Sequence, residues 1–224
     1  MYAPGTRSEE ARYALRFHGV VRNTDVSLLA GVFERAFAAG GDLSGNLGGA
    51  AWRVEAIWTD PSRDVWPIGA AAPRELAQFW QAVLSAEYSL DWWNGIDVLA
   101  EHLYDGNALG FGRGRAGALL PFFRSTSTGV APVTAARFGG SRVVSLAKHT
   151  TGLQAGTDLT PALRGDLLVL YDWSAASAAF APVLSYTGWN ALELRLGAQI
   201  FAGRRRSQFG SQQALGFAIV EWFF

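Results

Sequence analysis

Leu192-Glu193-Leu194-Arg195-Leu196-Gly197-Ala198-Gln199-Ile200-Phe201-Ala202-Gly203 is the stretch that decides how this chain folds. Leu192, Leu194, Leu196, Ala198 and Ile200 recur at every second position, and Glu193, Arg195, Gly197 and Gln199 fall between them. Successive side chains of an extended strand point to opposite faces, so this spacing gives one apolar face and one polar face; a helix would scatter the same set around its axis. The pattern recurs over residues 164 to 174, where Leu167, Val169, Tyr171 and Trp173 oppose Asp166, Leu168, Leu170 and Asp172. It recurs again over residues 79 to 90, with Trp80, Ala82, Leu84, Ala86, Tyr88 and Leu90 against Gln81, Ser85, Glu87 and Ser89, and in Trp52, Val54, Ala56 and Trp58 against Arg53, Glu55 and Thr59.

Carried along the chain, the alternation predicts about eleven strands, near residues 12–22, 25–35, 38–47, 50–60, 77–91, 95–105, 148–160, 163–174, 177–188, 190–203 and 212–224. A tilted strand crosses a bilayer in roughly 9 to 11 residues, and these segments have that length or a little more. Trp or Tyr closes several of the apolar faces, as at Trp52 and Trp58, Trp80 and Tyr88, and Tyr171 and Trp173. Amphipathic rings favour the headgroup level, so these positions sketch aromatic girdles around a transmembrane antiparallel up-and-down β-barrel, a single domain over residues 1–224. The alternative is a large soluble barrel or sandwich with the aromatics as core.

Composition bounds the remaining classes. Half of the 224 residues are hydrophobic and only 17% are charged, yet no apolar run approaches the roughly 18 residues of a spanning helix. The formal net charge is zero, which points away from a nucleic-acid partner. Cysteine is absent, which excludes thiolate metal sites, disulfides and Cys nucleophiles and is compatible with a periplasmic route. The start, Met1-Tyr2-Ala3-Pro4-Gly5-Thr6-Arg7-Ser8, lacks the charged and apolar regions of a signal peptide.

In a bacterial outer-membrane barrel, periplasmic turns are short and external loops are longer. Counting back from the C-terminus, residues 204–211, 106–148 and 61–76 are the longest connections, and all fall on one side. Gly188-Trp189-Asn190, Thr160-Pro161-Ala162, Trp92-Trp93-Asn94-Gly95, Leu47-Gly48-Gly49 and Arg22-Asn23-Thr24-Asp25 are tight and fall on the other; residues 175–177 should be external but are short. Single-chain bacterial barrels have even strand numbers. An odd count and the missing signal peptide together lead us to expect an N-terminally truncated barrel.

The C-terminal run Ala218-Ile219-Val220-Glu221-Trp222-Phe223-Phe224 resembles the last strand of bacterial outer-membrane barrel proteins, in which a final aromatic after alternating hydrophobics is recognised by the barrel assembly machinery. Phe224, Trp222, Val220 and Ala218 occupy the alternating positions. Residues 41–49 and 194–203 also look like porin-type hairpins. The resemblance implies insertion in the cell outer membrane and passive transport of a small hydrophilic solute, with outer-membrane lipids as surroundings and no cofactor. It names no particular solute.

If the apolar faces meet lipid, the opposite faces line the lumen. They carry Arg16, His18, Asp42, Arg53, Glu55, Glu87, Asp97, Glu101, Asp158, Asp166, Asp172, Glu193, Arg195 and Glu221, as the cost of charge in lipid demands. Two readings stand: a hydrated pore whose acidic bias favours cations or polyhydroxylated solutes, or charges that pair and plug the interior. Leu168, Leu170, Ile219 and Phe223 share the inward parity, so part of the lumen is expected to be packed or narrow. Residues 106–148 are expected to form either an external loop or a constriction, with Arg113, Arg115, Arg124, Arg137 and Arg142 supplying positive charge. Within them, Gly112-Arg113-Gly114-Arg115-Ala116-Gly117 fits a dinucleotide fingerprint as text, but lacks the strand and helix that give it meaning.

Arg204, Arg205 and Arg206 are expected at the outer rim, solvated or meeting lipopolysaccharide phosphates. His18, His102 and His149 are the three histidines, and none has metal-ligand spacing. No enzyme activity is expected; the one candidate for a membrane hydrolase is His149 with Thr150 and Asp158. A barrel that binds ligands through its loops while its interior is plugged remains a further alternative.

Overall fold

In a computed structural model, the described residues are 2–3, 12–33, 36–60, 65–66, 74–75, 78–108, 147–205 and 207–223. They form fourteen strands: β1 (Tyr2–Ala3), β2 (Arg12–Val21), β3 (Thr24–Phe33), β4 (Ala36–Leu47), β5 (Ala50–Asp60), β6 (Val65–Trp66), β7 (Arg74–Glu75), β8 (Phe79–Leu90), β9 (Ile96–Asp105), β10 (His149–Thr160), β11 (Leu163–Asp172), β12 (Ser177–Trp189), β13 (Leu192–Ala202) and β14 (Leu215–Trp222). All eleven long strands expected from the alternation are present. Several ends differ by one to three residues, two of them for evident local reasons. The Gln212 N–H donates to the Phe209 carbonyl at 3.0 Å and closes a turn, so β14 begins later than residue 212. Asp172 caps the turn at 173–176, so β11 stops before Trp173.

One sheet takes up every strand except β6 and β7, in the order β1-β2-β3-β4-β5-β8-β9-β10-β11-β12-β13-β14; β6 and β7 pair with each other. Strands adjacent in the chain are neighbours, which makes the sheet up-and-down and places the connections alternately at opposite ends. The three longest connections therefore share one end, as expected. Among the described residues no ladder joins the first strands to the last, so the sheet is open where a closed barrel was expected.

The short connections are built from left-handed residues: Arg22 (φ 58°), Gly48 (57°), Gly49 (85°), Trp93 (58°), Gly95 (84°) and Ala191 (57°). Two-residue hairpins need such dihedrals because their twist matches that of the strands. Glycine takes them freely, whereas Arg22, Trp93 and Ala191 bear a steric cost of about 1 kcal/mol each.

The chain divides into two compact units, residues 1–43, 55–82 and 104–148 in one and residues 44–54, 83–103 and 149–224 in the other. In the first, β2 and β3 pair as Tyr13↔Val32, Leu15↔Ala30 and Phe17↔Leu28 on one face, and Arg16↔Leu29 and His18↔Ser27 on the other. Phe37 and Trp58 meet edge to face at 6.0 Å. In the second, the rows Val169↔Phe180↔Ile200 and Leu163↔Tyr186↔Leu194↔Val220 run across the apolar face.

That apolar face is not covered. Leu184 is 45% exposed, Leu196 46% and Ile200 49%. Among the described residues the buried hydrophobics are Ala36, Ala38, Ala147, Ala178, Ala179 and Phe209, so a single apolar side chain larger than Ala is hidden. A water-soluble fold of this size buries its Leu, Ile, Val and Phe. The dry core of a soluble barrel or sandwich is absent from the described residues.

Candidate functional site

The ionisable groups of the polar face in the second unit gather at its short-connection end. Asp158 stands opposite Arg164, Arg164 opposite Ser185, and Ser185 opposite Arg195, because the registers of β10 to β13 place these residues in one transverse row. Three carboxylates surround the Arg164 guanidinium: Asp166 Oδ1 accepts from Nε at 3.1 Å, Asp158 Oδ1 lies 3.5 Å from Nη1, and Asp97 Oδ2 lies 3.6 Å from Nη2. Arg195 donates from Nε to Glu193 Oε1 at 2.5 Å and from Nη2 to Glu221 Oε2 at 3.1 Å. Asp97 Oδ1 also accepts from Ser89 Oγ at 2.8 Å. Asp97, Asp158, Asp166, Glu193 and Glu221 against Arg164 and Arg195 leave this network with a formal charge of −3.

An open cavity of about 520 Å³ lies here, lined by Asp158, Arg164, Asp166, Ser185, Glu193 and Arg195 among others. Two glycines on this face keep the wall thin. A Cβ on Gly156 would collide with Asp166 Oδ1 and Arg164 Nη2, and one on Gly197 would collide with the Phe217 ring, so both side-chain layers lie flat against backbone. Arg164, Ser185 and Gly156 were not singled out from the sequence, and Gly197 was assigned only to the polar face of its strand. The charge alternation around residue 164 hints at the first, but the glycine contacts come from cross-strand register alone.

Moving toward the long-connection end, the same face becomes apolar. Asp166 faces Val183, Leu168 faces Ala181, and Leu170 faces Ala179. Phe217 stands opposite Gly197, and Ile219 opposite Arg195. Leu168, Leu170 and Ile219 therefore share one face with Asp166 and Arg195. At the far end Asp172 is fully buried, with its Oδ1 accepting from the Ser174 N–H at 2.8 Å and the Ala175 N–H at 3.3 Å, and its Oδ2 from Ser177 Oγ at 3.3 Å. Asp172 has the parity of a lumen residue, but its carboxylate serves the turn and does not reach the cavity. Asp105 repeats this device in the first unit, buried and accepting from the Asn107 N–H at 2.9 Å and Gln81 Nε2 at 3.2 Å.

The first unit carries a smaller polar group on β2, β3 and β4. Arg16 Nη2 donates to Ser27 Oγ at 2.9 Å and lies 3.6 Å from Asp42 Oδ1; His18 Nδ1 is 3.1 Å from the same hydroxyl, and its Nε2 is 3.9 Å from Asp25 Oδ1. Ser27, buried between them, is a residue that its neutral side chain gave no reason to select. Arg53, Glu87 and Glu101 are exposed and Glu55 is half-buried. Trp222 is exposed, whereas Arg113, Arg115, Arg124, Arg137, Arg142, Arg206 and Phe224 lie outside the described residues.

His149 does not form the arrangement considered for a hydrolase. Its Nδ1 lies 3.4 Å from His102 Nε2, and His102 Nδ1 is 2.9 Å from Thr151 Oγ1, which accepts from Trp173 Nε1 at 2.8 Å. Thr151 and Tyr171 are paired on the apolar face, whereas Thr150 pairs with Asp172 on the opposite one, and Asp158 is engaged by Arg164. No known protein family, curated protein or solved structure matches the chain.

Proposed function

We propose that these strands belong to a transmembrane antiparallel β-barrel of the bacterial outer membrane, closed around its polar face, and that the lumen passively conducts small hydrophilic solutes. The observation that carries this reading is the inverted partition of side chains: large apolar residues such as Leu184, Leu196, Ile200 and Val220 exposed on one face, and ion pairs gathered on the other. Exposed apolar surface on this scale is costly in water and costs nothing in acyl chains. From Leu163, at the start of β11, to Trp173, just past its end, the apolar positions span ten residue steps. At roughly 3.3 Å per residue and about 45° of tilt, that is about 23 Å across the membrane, near the roughly 25 Å height of an outer-membrane apolar band. Trp92, Trp93, Trp189 and Trp222, all exposed near the short connections, would form the girdle at one interface, and Trp173 belongs to the girdle at the other. Barrel assembly machinery would receive the C-terminal strand, and lipopolysaccharide would meet the opposite rim near Arg204 and Arg205.

The test is reconstitution into planar bilayers. Stepwise conductance is the expected result, with quenching of Trp fluorescence by lipids brominated on their acyl chains as the control for insertion. A second reading, a plugged barrel that binds ligands through its loops, draws on the carboxylates that saturate Arg164 and on Leu168, Leu170 and Phe217 sharing its face. Folded, inserted protein without conductance would select that reading over the channel.

A further inference from the structure

We propose that the polar face of β10 to β14 selects amphiphilic organic cations: an ammonium-type head held by Asp158, Asp166 and Glu193, with its hydrocarbon body along Val183, Leu168, Ala181 and Leu170. The proposal rests on the channel reading and adds the class of solute.

Two independent features of the same surface carry it. First, the ionic row is net negative by three charges, and both guanidiniums are already held by carboxylates, Arg164 by three and Arg195 by two. An anion approaching the cavity therefore meets surplus negative charge and, among the described residues that line it, no arginine without a carboxylate partner. A cation meets carboxylates whose remaining lone pairs accept its N–H groups, since one ionised carboxylate offers about four acceptor sites. Second, the charge ends abruptly. Asp166 faces Val183, and the next two inward positions of β11 pair as Leu168↔Ala181 and Leu170↔Ala179. Two residues along a strand are about 7 Å, so a head at the ionic row leaves a short alkyl or aryl group lying on Leu168. An inorganic cation gains nothing from that apolar strip, and a sugar would forfeit hydrogen bonds along it.

The experiment is block of conductance in planar bilayers by ethyl-, butyl- and hexylammonium, with hexanoate and glucose as controls. Hexylammonium is expected to block at least tenfold more tightly than hexanoate, and block should strengthen by up to about fourfold per added methylene, as burial of a CH₂ group predicts. D158N should weaken block by all three amines about equally. Leu168→Asn should flatten the dependence on chain length and keep the preference for cations. D97N removes one of the carboxylates that hold Arg164 and serves as a second charge variant if D158N fails to insert. A conducting channel that hexanoate blocks as well as hexylammonium, or that is blocked independently of chain length, overturns this inference and leaves the channel reading standing. Inserted protein without conductance overturns both.

Discussion

The two ends of the polar face in β10 to β14 treat carboxylates in opposite ways. At the short-connection end, Asp97, Asp158 and Asp166 share one guanidinium beside an open cavity, and the side chains of Asp97 and Asp158 keep more than half of their surface exposed. At the long-connection end, Asp172 loses all contact with solvent and satisfies a turn. The difference teaches that parity along a strand fixes which face a charge occupies, while the neighbouring connection decides whether it meets solvent or backbone. A carboxylate in the open row is replaceable in terms of stability and governs the local field; a buried cap does the reverse.

The largest effect expected tests the frame on which that contrast stands. Leu184→Arg, on the apolar face, should destabilise the lipid-inserted protein by about 2 to 4 kcal/mol in a denaturant titration, the cost of a basic side chain near the bilayer midplane. A change within about 0.5 kcal/mol would mean that this face meets water, and the membrane reading would fail with it.

The next variants compare the two ends directly. Asp172→Ala removes three hydrogen bonds made by a fully buried carboxylate, so a loss of about 2 to 3 kcal/mol is expected. Asp158→Asn, in the open row, should cost less than about 1 kcal/mol, because half-exposed ion pairs contribute little. The same titration measures both, and equal losses would erase the distinction between cap and cavity wall. Gly156→Ala should fall between them, at about 1 kcal/mol, since a methyl group there forces Arg164 and Asp166 off the wall. Its conductance should shift even where its stability barely changes.

The smallest effect concerns the short connections. Ala191 holds a φ of 57°, and Ala191→Gly should stabilise the protein by about 0.5 kcal/mol, the relief of left-handed strain reduced by the greater backbone entropy of glycine. A loss of stability on that change would show that the Ala191 methyl group contributes packing that outweighs the strain.

The strands were legible because each alternates over ten or so residues, long enough for a period of two to stand out from noise, and the tight hairpins were legible from Asn, Gly and Pro at their centres. Asp172 shows where that legibility stops. Its parity matches Asp166 and Leu170, but its hydrogen bonds go to Ser174, Ala175 and Ser177, a local turn that the alternation does not encode. The basic stretch 204–211 similarly looked like a solvated loop. In the structure Phe209 is buried and its N–H reaches Ser177 Oγ at 3.5 Å, a contact between positions 32 residues apart.

By itself, then, the amino-acid order determined the number of long strands, the composition of each face and the end at which the long connections collect, since these depend on side-chain direction along single strands. Tertiary pairing decided which carboxylates converge on Arg164, which glycines form the floor beneath them and which acids disappear into turns. Those outcomes depend on cross-strand register, where a slip of one position would bring a different set of groups together.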